Sequence, residues 1–267
     1  MTGTALGSAL AKAAADDRAA LVGYLPVGYP DVDTSIAAMR ALVDGGADVV
    51  EVGVPYSDPV MDGPTIQAAA EPAVRAGVGI PDALRAVAAV HEAGAAAVVM
   101  SYWNPIERYG VDRFAADLQA AGGSGAITPD LIPDEAGTWL DATERTGLDR
   151  IFLVAPSSSD ARIVSTAAAS RGFLYASAVM GVTGAREQVG DAAADLVARV
   201  RALAPDIAVC VGLGVSTGAQ AAQVAGFADG VIVGSALVRC LLDSPDERGV
   251  AAVRALSEQL AAGVRQR

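Results

Sequence analysis

Lysine, histidine and cysteine are nearly absent from this chain. Lys12 is the only lysine among 19 basic residues, His91 is the only histidine, and Cys210 and Cys240 are the only cysteines in 267 residues. Imine chemistry needs a lysine inside the active site, and Lys12 stands in LGSALAKAAADDRAA, a polar amphipathic stretch that leaves it solvated. Schiff-base catalysis is therefore not expected. Structural zinc and histidine-rich catalytic metals need clustered His and Cys, so no metal site is expected. Ser-His-Asp and Cys-His catalysis would rest on His91 alone, and DALRAVAAVHEAG reads as a helix with His91 partly exposed. The two cysteines lie in apolar segments and read as buried thiols of a reducing compartment.

Positive charge is also short, with 31 acidic residues against 19 basic ones and a net charge of −12. Nucleic acids and anionic membranes are poor partners for such a surface, and any bound anion must be held by local backbone dipoles. Long apolar runs are missing, since the 52% hydrophobic content is swollen by alanine and no window reaches transmembrane character. Lys12, Asp16, Asp17 and Arg18 interrupt the N-terminal segment, so no secretory signal is expected and the cytoplasm is the expected compartment.

Short Val, Ile and Leu runs alternate instead with Ala-rich helical patterns. The runs cover 20–26, 47–53, 96–103, 125–128, 150–156, 173–179, 207–214 and 230–235. Strand followed by helix eight times predicts an α/β fold, a single (β/α)8 TIM barrel over residues 1–267 with an extra N-terminal helix. A doubly wound open sheet is the alternative, but no glycine-rich dinucleotide turn follows the first run. In a barrel, reactive residues belong at the C-terminal ends of the strands and in the loops beyond them.

The segment VVEVGVPYSDPVMDGPTIQ places Glu51 inside a Val-rich strand. A carboxyl group there is either a structural acid bonded to a neighbouring hydroxyl or a group with a chemical task. Asp62, in MDGPT, is either a turn and cap residue or a second mouth carboxylate. Two such groups in different environments can divide acid and base work, as proton-shuttling carbon chemistry and glycoside hydrolysis both require. The stretches 54–63 and 179–190, rich in Pro, Gly, Ser and Asp, read as loops able to close over a substrate. Three later loops, MGVTGARE, GLGVSTG and GSALV, are glycine-rich and poor in positive charge. Gly212, Gly214, Gly234 and Ser235 fall where barrels present backbone N–H groups to phosphate, although tight turns also use glycine.

Taken in order, EVGVPYSDPVMDGPTIQ, YWNPIERYG, PDLIPDE, GVTGAR, GLGVS and VGSALV resemble the tryptophan synthase alpha chain family. The resemblance implies a lyase of tryptophan biosynthesis that cleaves indole-3-glycerol phosphate to indole and glyceraldehyde 3-phosphate by retro-aldol chemistry. It implies Glu51 as general acid/base, Asp62 as partner of the indole N–H, and Tyr175, Tyr102, Leu153 and Thr183 around the substrate, with Tyr24 a further wall residue. Gly184, Gly214, Gly234 and Ser235 match phosphate-binding positions. Asp58 and Asn104 match the partner-facing loops, Thr183 hydrogen-bonding a carboxylate of loop 54–63 when the site closes. No cofactor is implied on this chain. Pyridoxal phosphate is expected only on a β chain that receives indole within an α2β2 assembly. The segment TPDLIPDEAG departs from the family's PDLPxEE form around Asp130, and Tyr56 replaces a frequent phenylalanine. A stand-alone lyase and a non-catalytic phosphosugar-binding barrel are the competing expectations.

Overall fold

The computed structural model describes residues 3–177 and 186–266. Its strands are β1 (Ala20–Pro26), β2 (Val49–Gly53), β3 (Ala96–Met100), β4 (Gly125–Ile127), β5 (Asp149–Ile151), β6 (Leu153–Val154), β7 (Phe173–Ser177), β8 (Ala208–Gly212) and β9 (Gly230–Val233). They pair in parallel in the order β5-β4-β3-β2-β1-β9-β8-β7-β6. The two ends of that order meet, because β5 and β6 are pieces of one stave separated by Phe152. The Phe152 carbonyl accepts the Tyr175 N–H at 3.0 Å, which closes the sheet. The expected run 150–156 thus appears as two short strands, and the eight expected staves form the barrel.

Strand residues alternate between two apolar layers, as the two-residue period of a strand requires. Inward, Val22, Val49, Val98, Ile127, Ile151, Phe173, Cys210 and Ile232 fill the barrel. Outward, Leu21, Val50, Val52, Val99, Leu174, Val209 and Val231 pack against helix residues such as Leu42, Met39, Val87, Phe114 and Trp139. Both faces are buried, which is why the sequence shows unbroken apolar runs rather than alternation.

The N-terminal helix, Ala5–Ala15, stoppers the end where the strands begin. Leu6, Leu10 and Ala13 join the barrel's inner cluster, and Lys12 on the opposite face is exposed. Thr4 starts this helix by accepting the Gly7 N–H at 3.1 Å, while its hydroxyl donates to the buried Asp149 carboxylate. Arg171 approaches the same carboxylate at 3.4 Å. Nearby, Arg18 is held in a two-pronged pair with Asp48 at 2.7 and 2.8 Å, and Asp48 also accepts the Leu21 N–H. The charges at this end are thus paired and structural.

One helix departs from its expected limits. The helix Arg186–Leu203 begins inside the stretch 179–190 that reads as a loop. Gly190 reads as a boundary, but Arg-Glu-Gln before it are good helix formers, and one interior glycine costs only about 1 kcal/mol. No helix among the described residues is long and apolar enough to cross a membrane.

Thr4→Ala removes both the first helix's cap and the donor to Asp149. The expected result is a loss of about 1–2 kcal/mol of stability, seen as a lower urea midpoint at unchanged slope.

Candidate active site

Glu51 is on β2, facing into the barrel between Tyr24 of β1 and Val98 of β3 in the strand register. It is 1% exposed, and neither carboxyl oxygen has a hydrogen-bond partner among the described residues. Among the described residues no neighbouring hydroxyl bonds it, as a structural acid would require. Burial pushes its pKa up to about 8, because a charge there is deprived of water and of compensating donors. Below that pH Glu51 is a neutral acid holding a proton.

Asp62 lies in the loop between β2 and the helix Pro64–Arg75, half-buried over the same mouth. Burial raises its pKa to about 6, and a hydrogen bond from Tyr102 partly offsets that rise. The Tyr102 hydroxyl also accepts the Met61 N–H at 2.9 Å, so one phenol from the end of β3 pins the loop and steadies Asp62. Tyr56 stacks on Tyr102 with ring centres 5.0 Å apart, and its hydroxyl accepts from Asn104 at 3.2 Å. The phenol in place of the usual phenylalanine thereby ties the loop to the helix Trp103–Tyr109.

Two tyrosine rings close over Glu51, each seated on a glycine. A Cβ on Gly53 would lie 2.4 Å from the Tyr24 hydroxyl, and one on Gly212 would lie 2.7 Å from that of Tyr175. Both glycines point inward at strand ends where any side chain would displace a ring. Gly212 is one of the glycines expected at the phosphate. Its packing beneath Tyr175 is a sufficient reason for it, and backbone spacing alone could not show that. Leu153 sits beside Tyr175 in the register of β6 and β7.

On the other side of the mouth, the helix Ser235–Asp243 begins at Gly234 with no side chain capping its N–H groups. Ser235 is exposed there, and a Cβ on Gly234 would lie 3.5 Å from the Tyr24 side chain. Gly214 is exposed with φ 65°, a left-handed turn that favours glycine. Thr183 and Gly184 lie outside the described residues. Asp58 is exposed and accepts from Ser57, and Val60 and Met61 in the same loop are exposed apolar residues. Asp130 accepts the Trp103 N–H at 2.9 Å, which makes it the opening cap of the helix Trp103–Tyr109. His91 is exposed on its helix and packs against Gly122. Cys210 is a buried free thiol inside the barrel, whereas Cys240 is only partly buried.

Fold and mouth together define a (β/α)8-barrel enzyme with two carboxyl groups of unequal acidity at one mouth. The sequence profile of the tryptophan synthase alpha chain family matches residues 10–265. The alpha chain of Mycobacterium avium (strain 104) is 66% identical over 252 residues, 94% of this chain and 91% of that one. That of Thermobifida fusca (strain YX) is 60% identical, covering 98% of both. A structure of Mycobacterium tuberculosis tryptophan synthase superposes with a TM-score of 0.91 at 60% identity, over 98% of this chain and 99% of that one. The alpha subunit from Legionella pneumophila str. Paris gives 0.88 at 31% identity, over 98% of each chain. The chain belongs to the tryptophan synthase alpha chain family, and it is the lyase subunit of that enzyme.

The raised pKa of Glu51 has a measurable effect on stability. Between its ordinary value near 4.5 and about 8, the folded state holds a proton that the unfolded state releases, so stability falls as pH rises through that window. Each unit corresponds to about 1.4 kcal/mol. Glu51→Gln is expected to gain stability relative to the parent between pH 5 and pH 8.5, measured by urea unfolding at both. An unchanged difference between the two proteins would contradict the buried neutral carboxyl.

Proposed function

We propose that this chain cleaves indole-3-glycerol phosphate to indole and glyceraldehyde 3-phosphate, with Glu51 and Asp62 as its catalytic pair. The observation that carries this reading is the separation of their acidities. Between about pH 6 and 8 Asp62 is a carboxylate and Glu51 a neutral acid, within one mouth. That is the division of labour retro-aldol cleavage of an indole demands. Glu51 gives its proton to ring C3, and Asp62 accepts a hydrogen bond from the ring N–H as positive charge develops there. The bond from C3 to the side-chain carbon then breaks, and its electrons restore the aromatic ring. In that same step the hydroxyl on that carbon gives its proton to the ionised Glu51, transfer leading cleavage, and its oxygen becomes the aldehyde carbonyl. Glu51 ends the cycle as it began, and neither lysine nor metal takes part.

Tyr175, Leu153 and Tyr102 wall the indole, and the uncapped start of the helix Ser235–Asp243, with Gly214, Gly234 and Gly184, receives the phosphate. An N-terminal helix dipole suits an anion in a chain with a strong net negative charge. The chain acts as one barrel domain over its full length, in the cytoplasm, and carries no cofactor of its own. Its partner is a pyridoxal-phosphate β chain in an α2β2 assembly, docking on loop 54–63 and the region of Asn104. Exposed Val60 and Met61 offer apolar surface there. Solved relatives include tryptophan synthase of M. tuberculosis in an aminoacrylate-bound form, which supports this partner.

Indole release from indole-3-glycerol phosphate by the isolated chain, with and without β chain, tests the reading. Glu51→Gln is expected to lose about 10²- to 10⁴-fold in turnover while staying folded. No release by the wild type under either condition would leave the phosphosugar-binding barrel instead, and full unaided activity without β-chain activation would favour the stand-alone lyase.

The rate should also be bell-shaped in pH. The expected limbs of kcat/KM lie near 6, where Asp62 ionises, and near 8, where Glu51 loses its proton. Asp62→Asn should remove the acid limb and keep the alkaline one. A profile flat from pH 5 to 9 would contradict both assignments.

A further inference from the structure

Tyr24 has a hydroxyl group that no described residue engages. The residue is 9% exposed, and it stands beside Glu51 in the strand register with its ring leaning toward the mouth over Gly53. No described residue hydrogen-bonds its hydroxyl, which leaves it available to a ligand at the mouth. A phenylalanine would fill the same space at no cost in packing. Burial, together with the nearby Asp62, Glu51 and Tyr102, raises its pKa well above the ordinary value. The group is therefore an O–H donor throughout the working range of pH.

Its position identifies what it would meet, and the argument rests on the function proposed above. The indole N–H is directed to Asp62 and the phosphate to the helix start at Gly234 and Ser235. The Tyr24 side chain spans that interval, lying against Gly53 at one end and Gly234 at the other. The part of the substrate crossing this interval is the hydroxylated three-carbon chain. Indole has one polar atom, already engaged, so the polar partners within reach of this phenol are the hydroxyl groups of that chain.

We propose that Tyr24 is a further catalytic residue, donating a hydrogen bond through its hydroxyl to the oxygen on the carbon whose bond to the indole ring is cleaved. In the ground state that oxygen is a hydroxyl group. As Glu51 takes its proton and the carbon–carbon bond breaks, the oxygen gains negative charge before becoming the aldehyde carbonyl. A fixed donor in a water-poor site stabilises that charge more than it stabilises the bound substrate. Tyr24 transfers no proton in this scheme, and the proton balance between ring C3, the hydroxyl and Glu51 is unchanged.

Tyr24→Phe removes the hydroxyl alone and tests the assignment. Turnover of indole-3-glycerol phosphate and the Kd of indole-3-propyl phosphate, which lacks both hydroxyl groups, are measured for wild type and variant in the presence of β chain. The variant is expected to lose about 10- to 100-fold in kcat/KM, chiefly in kcat, while binding the hydroxyl-free analogue within about twofold of wild type. A change in kcat/KM below about twofold would overturn the inference, as would loss of analogue binding in proportion to the loss of activity, since that marks a mere wall residue. If wild type fails to cleave the substrate or Glu51→Gln retains cleavage, the proposed function fails and the inference with it. Wild-type cleavage with an unaltered Tyr24→Phe defeats the inference alone.

Discussion

Burial of one carboxyl group that no described residue hydrogen-bonds is the constraint around which this barrel is arranged. Glu51 points into an interior otherwise filled by valine, isoleucine and phenylalanine, where no described residue hydrogen-bonds to it. An ionised carboxylate in such surroundings costs several kcal/mol, so the group keeps its proton to about pH 8. Maintaining that state requires a dry floor and a covered mouth. The floor is the packed inner cluster, sealed by Leu6 and Leu10 of the first helix. At the mouth stand the rings of Tyr24 and Tyr175, which have room only because Gly53 and Gly212 carry no side chain.

The two ends of the barrel treat charge in opposite ways. Where the strands begin, Arg18 meets Asp48, Arg171 approaches Asp149, and Thr4 donates to Asp149. Those groups are satisfied and serve the fold. Where the strands end, Glu51 has no hydrogen-bond partner among the described residues, and Tyr102 is the described side chain that hydrogen-bonds Asp62. Stability given up at the mouth is recovered by packing and pairing elsewhere, the usual division between a scaffold and its site.

The mouth also has a direction. Asp62 and Tyr102 stand at one side, the uncapped helix start at Gly234 at the other, and the Tyr24 side chain between them above Glu51. Such an order suits a ligand with an aromatic N–H at one end, a phosphate at the other and a short hydroxylated chain between. Because every member of the line sits on a strand end or in the loop that follows one, the rigid sheet sets the spacing.

Much of this was legible in the residues themselves. Eight apolar runs separated by helical patterns specify the barrel because parallel strands buried on both faces cannot alternate, and a glutamate inside such a run announces itself by its desolvation cost. The scarcity of lysine, histidine and cysteine argues on composition alone against imine, histidine- or cysteine-held metal and triad chemistry. Other features depend on through-space neighbours that sequence spacing does not encode. Gly212 reads as a phosphate-loop or tight-turn glycine, and only the structure shows the Tyr175 ring above it; Asp130, in the segment that departs from the family form, opens the helix at Trp103, and the helix Arg186–Leu203 begins within the stretch 179–190 that reads as a loop. Tyr24 is one more apolar-run residue until strand register sets it beside Glu51, its ring base against Gly234 and its hydroxyl over Gly53. Local pattern and the cost of desolvation are properties of the chain. Which groups face one another across a closed barrel is a property of strand register and shear, and only the tertiary structure decides it.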